Sequence, residues 1–163
     1  MLTIRPAEQK DVSAITDIYN QAILNTTATF DTQTKTSDEQ KAWFDKHGQK
    51  YPVLVGLEGD NIVGWASLSA WSDRCAYADT AEISLYVKEE ERGKGIGRKL
   101  SGAILQAGKE AGLHTAIARI AEGNDASIHL AESLRFKHIG VMKEVGRKFG
   151  KLLDVYLMQI FFD

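Results

Sequence analysis

Apolar positions along the chain change period several times, and each change marks an element. Residues 2–5 read as a short strand. Val12, Ile15, Ile18, Tyr19, Ala22 and Ile23 recur at helical spacing and predict an amphipathic helix over roughly 11–24. Ser37-x-x-Gln40 has the form of a capping box and opens a second helix, carrying Ala42, Trp43 and Phe44, that ends near Gly48. Two β-rich runs, Val53–Leu57 and Ile62–Leu68, flank the turn Glu58-Gly59-Asp60-Asn61 and predict an antiparallel hairpin. A strand over 81–87 precedes a glycine-rich turn. Leu100, Ala103, Ile104, Ala107 and Ala111 then mark one face of a helix closed by Gly112. A strand at Thr115–Ala121, a short helix over 125–134 capped by Asn124, and strands near 136–145 and 154–162 complete the order β-α-α-β-β-β-α-β-α-β-β. This is a mixed α/β domain around one sheet, a single domain over 1–163, with no linker, repeat or low-complexity run.

Composition narrows the class. The chain has 163 residues, 44% hydrophobic and 26% charged, as in soluble globular proteins. A formal net charge of -2 argues against a mainly electrostatic nucleic-acid binder. Cys75 is the only cysteine, so no intrachain disulfide and no CxxC metal pair is expected, and the chain reads as reduced and cytoplasmic. No apolar stretch approaches the ~18 residues of a membrane span. The N-terminus lacks a basic-then-apolar signal pattern.

The most informative segment is Glu91-Arg92-Gly93-Lys94-Gly95-Ile96-Gly97-Arg98-Lys99, between a strand and a helix. Glycines let backbone approach a ligand closely, and a helix start offers free N–H donors and a positive dipole end, which together suit phosphate or pyrophosphate. The plainer reading is a left-handed turn before a surface helix. A P-loop is excluded, because no Gly-x-x-x-x-Gly-Lys-Ser/Thr occurs. A dinucleotide fingerprint is excluded because Gly93-x-Gly95 and Gly95-x-Gly97 are followed by Arg98 and Leu100.

What remains, Arg92-x-x-Gly95-x-Gly97, resembles the acetyl-CoA signature of the GNAT acyltransferases. The neighbouring elements follow that family's order over nearly the whole chain. Within it, the sequence is similar to the phosphinothricin and methionine sulfoximine N-acetyltransferases. The likeness lies in Ile18-Tyr19-Asn20 with Thr29-Phe30, Tyr51-Pro52-Val53-Leu54-Val55, Gly64-Trp65-Ala66-Ser67, Glu82-x-Ser84-x-Tyr86-Val87, Asn124-x-Ala126-Ser127-x-His129 and Lys148-Phe149-Gly150-x-x-x-Asp154.

The resemblance implies a single, mostly antiparallel mixed sheet flanked by helices, with a splayed strand pair that binds acetyl-CoA. It implies that the backbone of Leu85, Tyr86 and Val87 pairs with the pantetheine arm, much as an added strand would. Arg92, Gly93, Lys94, Gly95, Ile96, Gly97 and Arg98 would hold the pyrophosphate, and Asn124 and Ser133 would complete the cofactor site. Asn124 is equally well read as a plain helix cap. Glu82 would be the general base that takes a proton from the acceptor amine, directly or through water. Its plain reading is a solvated strand carboxylate. A backbone amide of the cofactor strand would stabilise the oxyanion.

Two departures from the family bear on the leaving thiolate. Ala131 stands where many relatives carry an acidic tyrosine, and Arg135 stands where glycine is usual. His129 is the remaining candidate to donate or orient a proton, against the plain reading of a surface histidine. Phe30, Arg74 and Tyr77 are expected at the acceptor, with Arg74 pairing a carboxylate through its fork. Cys75 has no neighbouring histidine motif to make it a nucleophile. Lys148–Asp154 is expected to reach a partner subunit's site, which implies a homodimer. No metal and no membrane or nucleic-acid partner is expected. Two other readings stay open: acetylation of another amine (a protein N-terminus, lysine or polyamine), and a non-catalytic acetyl-CoA sensor.

Overall fold

A computed structural model describes residues 1–163. The strands are β1 (Leu2–Pro6), β2 (Val53–Glu58), β3 (Asn61–Ala70), β4 (Thr80–Val87), β5 (Thr115–Ala121), β6 (Lys137–Lys148) and β7 (Lys151–Phe161). The helices are α1 (Val12–Asn25), α2 (Ser37–Asp45), α3 (Ile96–Glu110) and α4 (Asp125–Ser133). One 7-stranded sheet has the order β1-β2-β3-β4-β5-β7-β6. All its pairs are antiparallel except β4–β5.

Helices cover both faces, so β2 reads as a continuous apolar run rather than an alternating one. Leu54, Ala66, Leu68 and Ala81 pack under Ile96, Leu100 and Ile104 of α3. Val53, Val55 and Trp65 face Ile15 and Ile18 of α1, with Trp43 and Phe44 of α2 beside them. α3 comes very close to the sheet at one place. Gly56 and Gly64 are register partners, and a Cβ built on them would lie 3.3 Å from Leu2 and 3.0 Å from Leu100 respectively. The Leu100 side chain sits over this glycine pair.

Three local readings are corrected. α2 is capped one residue earlier than expected. Thr36 Oγ1 accepts from Glu39 N–H and Glu39 Oε1 accepts from Thr36 N–H, both at 3.2 Å. Both Thr36-x-x-Glu39 and Ser37-x-x-Gln40 fit the box pattern. The first is used because Gln40 is buried, 4% exposed, and its side chain is not available at the helix mouth. α2 also closes sooner, at Asp45. The last two strands run further towards each other than expected, meeting in a two-residue turn at Phe149 (φ 51°) and Gly150 (φ 76°). A bulge between Met142 and Gly146 hides this continuity from a period-2 reading. Asp154 pins that bulge by accepting from Glu144 N–H at 2.8 Å and Lys143 Nζ at 3.2 Å.

Arg135 takes the left-handed position that follows α4, with φ 74°. Phe136 N–H reaches back to Ala131 O and Arg135 N–H to Glu132 O, both at 3.0 Å, a Schellman closure. A side chain there is strained. Arg135→Gly is therefore expected to stabilise the protein by about 0.5–1 kcal/mol, after the larger unfolded-state entropy of glycine is subtracted. Calorimetry would show a Tm rise of roughly 1–4 °C; a fall in Tm would mean that the Arg135 side chain contributes more than its backbone costs.

Candidate active site

β4 and β5 are paired only at Thr80–Glu82 with Thr115–Ile117. Beyond that point β4 stays with β3 as far as Val87, while β5 stays with β7 as far as Ala121. The sheet therefore opens, and the inward edge of β4 from Ile83 onward has no strand partner. α3 and α4 fill the underside of the gap: a Cβ on Gly97 would lie 3.4 Å from Leu85 and 3.8 Å from Leu130. The opening is a cleft of ≈ 600 Å³, walled by residues 82–86 of β4, 118–121 of β5, and Asn124, Ser127, Leu130 and Ala131 around α4.

The glycine-rich turn is built as a donor nest. Gly93 (φ 79°) and Gly95 (φ 81°) are left-handed, and nothing lies within 4 Å of a Cβ placed on either. The first backbone bond into α3 runs from Lys99 N–H to Gly95 O at 3.2 Å. The N–H groups from Gly93 to Arg98 consequently have no backbone acceptor, and the positive end of α3 adds to their field. Arg92 is exposed, and Lys94 is held by Glu91 at 2.7 Å. Arg98 donates to Ser133 Oγ at 3.0 Å, tying α3 to α4; Ser133 itself is exposed and lies outside the cleft wall. Asn124 serves as cap and wall at once. Its Oδ1 accepts only a long 3.4 Å bond from Ser127 N–H, and its amide N–H₂ makes no bond within the protein. A pyrophosphate and an extended amide-bearing arm fit this combination of free donors and free strand edge.

Glu82 lies at the apex of the opening. Its carboxylate accepts from Arg119 Nε at 2.7 Å and Arg119 Nη2 at 2.6 Å. The Glu82 side chain remains 23% exposed. The pair holds Arg119 above its ordinary proton affinity, against the opposing effect of burial. Arg119 also lies 5.3 Å over the Trp71 ring. Nothing in the sequence pattern marks Arg119 as part of the site, because it stands 37 positions from Glu82 on another strand.

Across the cleft, the link after α1 carries Thr29, Phe30 and Asp31 into the wall. Tyr19 donates to Asp31 and shares a 2.9 Å bond with Thr29 Oγ1. Asn20 brackets Lys35 through both its N–H and C=O, at 2.8 and 3.0 Å. Lys148, buried in the final hairpin, donates to Thr29 O at 2.7 Å, and burial lowers its ammonium's proton affinity. Phe30 lies against Gly146, where any Cβ would overlap the ring. Burial pushes the Tyr19 and Tyr86 hydroxyls well up, so both stay protonated. Tyr86 packs on Trp65 and Tyr19 at 5.0 and 5.1 Å.

Several expected site residues lie elsewhere. His129 is exposed on α4 and has no place in the cleft wall, because the inward face of that short helix is taken by Ser127, Leu130 and Ala131. Arg74 and Tyr77 are exposed in the link between β3 and β4 and do not line the cleft. Cys75 is exposed in the same link. Val87 falls beyond the wall, whereas Leu85 and Tyr86 belong to it. No group of His, Cys, Asp and Glu is arranged to hold a metal, and no helix is long and apolar enough to cross a membrane.

A strand pair that opens beside a donor-rich helix start is the arrangement expected of an acyl-CoA-dependent transferase, and the comparisons with known proteins show that class. Residues 4–157 match the acetyltransferase (GNAT) domain, and the chain belongs to that family. It is 39% identical to the L-amino acid N-acyltransferase MnaT of Escherichia coli, covering 99% of this chain and 95% of MnaT. It is equally, 39%, identical to the L-methionine sulfoximine/L-methionine sulfone acetyltransferase of Salmonella typhimurium, again over 99% and 95% of the two chains. Among solved structures, the phosphinothricin acetyltransferase of Sinorhizobium meliloti in complex with acetyl-CoA superposes with a TM-score of 0.94 at 34% identity, covering 99% of this chain and 88% of that one. The protein is an acetyltransferase that uses acetyl-CoA.

Proposed function

We propose that this enzyme moves the acetyl group of acetyl-CoA to the amine of a small amino-acid-like acceptor of the methionine sulfoximine or phosphinothricin type. The observation that carries this reading is the position of Glu82, at the apex where β4 and β5 part and inside the same cleft as the free edge of β4. In this reading the amides of Gly93 to Arg98 bind the pyrophosphate, Arg92 and Arg98 add positive charge, and Asn124 and the Leu85–Val87 backbone hold the arm. Ser133 acts through Arg98. Glu82 takes the proton of the acceptor ammonium, directly or through one water. The freed amine attacks the thioester carbonyl, and a β4 amide stabilises the oxyanion; as the carbon–sulfur bond breaks, CoA leaves as the thiolate and takes the second proton that the nitrogen sheds in becoming an amide. The apolar wall at Leu130, Ala131 and Phe30 suits a small acceptor. The cytoplasm is the proposed place of action.

Thiol release from acetyl-CoA, followed with methionine sulfoximine, methionine sulfone, phosphinothricin, a polyamine and an N-terminal peptide, tests the reading. Saturable release is expected with the first three. Release only with the polyamine or peptide would overturn the acceptor class, and none at all with acetyl-CoA still bound would favour a sensor.

A homodimer belongs to the same proposal. β6 is an edge strand, and Ile139, Val141, Val145, Phe149 and Leu152 of the last hairpin are exposed apolar side chains. A second copy would cover them beside the Lys148–Thr29 contact. Light scattering is expected to give twice the chain's mass, and a monomer's mass at micromolar concentration would refute this.

A further inference from the structure

The cleft wall contains two carboxylates, Asp31 and Glu82, but Arg119 is its one cationic side chain. Three features make Arg119 more than a partner for Glu82. Its guanidinium presents five N–H groups, and only the edge formed by Nε and one Nη2 hydrogen is used, at 2.7 and 2.6 Å to Glu82. Both Nη1 hydrogens and the second Nη2 hydrogen have no acceptor in the protein, so the terminal edge of the fork is free. The guanidinium carbon lies 5.3 Å over the Trp71 ring, a cation–π contact that supports the side chain, and the side chain is 50% exposed. The result is a carboxylate beside a guanidinium whose second edge is open, both at the apex of the cleft.

We propose that Arg119 is the specificity-determining residue for the acceptor's α-carboxylate, binding it through the free Nη1–Nη2 edge while Glu82 takes the α-amine. An α-amino acid carries its amine and carboxylate on one carbon, so adjacent carboxylate and guanidinium groups match both at once. A terminal-edge pair with a carboxylate is bidentate and charge-assisted. Arg74, which the sequence puts forward for this role, is exposed away from the wall. The inference rests on the proposed amino-acid acceptor and names the residue that selects it.

The test compares methionine sulfone with 3-(methylsulfonyl)propylamine, the same chain without its carboxylate, in the native enzyme, Arg119→Gln and Arg119→Lys. Each compound is judged by its own variant-to-native ratio, so the different basicities of the two amines cancel. With methionine sulfone, kcat/KM is expected to fall roughly 10–100-fold in Arg119→Gln, mainly through KM. The amine is expected to lose at least ten-fold less. Arg119→Lys, which keeps the charge but lacks the fork, is expected to recover only part of the loss. Equal losses for both compounds would overturn the inference and leave Arg119 a clamp on Glu82; no loss for either would overturn it too. Calorimetric binding of both compounds to the CoA-bound protein reads the same discrimination without turnover. A native enzyme that binds the sulfone through Arg119 but transfers nothing defeats the proposed reaction alone. One that binds both compounds equally defeats the inference alone.

Discussion

Replacing Glu82 by glutamine is expected to lower kcat by about 10²–10⁴-fold while leaving acetyl-CoA affinity unchanged. An α-ammonium group is not a nucleophile, so transfer requires a proton acceptor placed where the amine meets the thioester. Glu82 is the cleft carboxylate at the point where β4 leaves β5. The pyrophosphate donors at Gly93 to Arg98 lie beyond the other end of β4, so the substitution does not touch them. Glutamine keeps one acceptor for Arg119 and nearly the same volume, which separates lost proton transfer from lost packing. Single-turnover rates with methionine sulfone and calorimetric titration with acetyl-CoA measure the two quantities apart. Unchanged turnover across the pH range would remove Glu82 from the reaction. A parallel loss of acetyl-CoA binding would make its role structural.

The largest effect on stability is expected at Leu100. Its side chain is fully buried, and it lies over the Gly56–Gly64 pair in the centre of the α3 face. Because the two glycines bring no side chains of their own, the sheet directly beneath cannot fill the space, and only Leu2 and Val87 border it. Leu100→Ala is therefore expected to cost about 3–4 kcal/mol, inside the range for buried leucines that leave a cavity. The loss is a large share of a typical domain's total stability and corresponds to a Tm drop of roughly 6–16 °C. α3 also carries the donor nest at its start, so the KM for acetyl-CoA is expected to rise with the same change. Urea unfolding reads the first effect and steady-state kinetics the second. A cost below about 1 kcal/mol would mean that α3 settles onto the glycine pair and closes the cavity.

The aromatic side of the sheet illustrates how far pattern alone reaches. Ile15, Ile18 and Tyr19 are placed on one face of α1 by their spacing, and that face does meet Trp65 and Tyr86. The glycine-rich turn was legible for the same reason: free amides at a helix start follow from glycine conformation and chain direction, both of which are local. The cap of α2 was misread because two overlapping tetrads satisfy one rule, and burial of Gln40 decides between them. The last two strands fall where the pattern puts them, but their inner ends extend further because a bulge breaks the period.

The sequence by itself determined the element order, the strand–turn–helix that offers donors to a pyrophosphate, and the family to which those motifs belong. These depend on relations between residues two to seven positions apart, which dihedral preference and side-chain period control. The tertiary structure alone decided which charges share the cleft. Arg119 joins Glu82 in the cleft over 37 positions, and Lys148, itself outside the cleft wall, reaches Thr29 over 119. His129, Arg74 and Tyr77 are kept out by the facing of one short helix and one link. Such pairings follow from where parallel strands cease to pair and from which face of each element is already covered, and no local pattern encodes either.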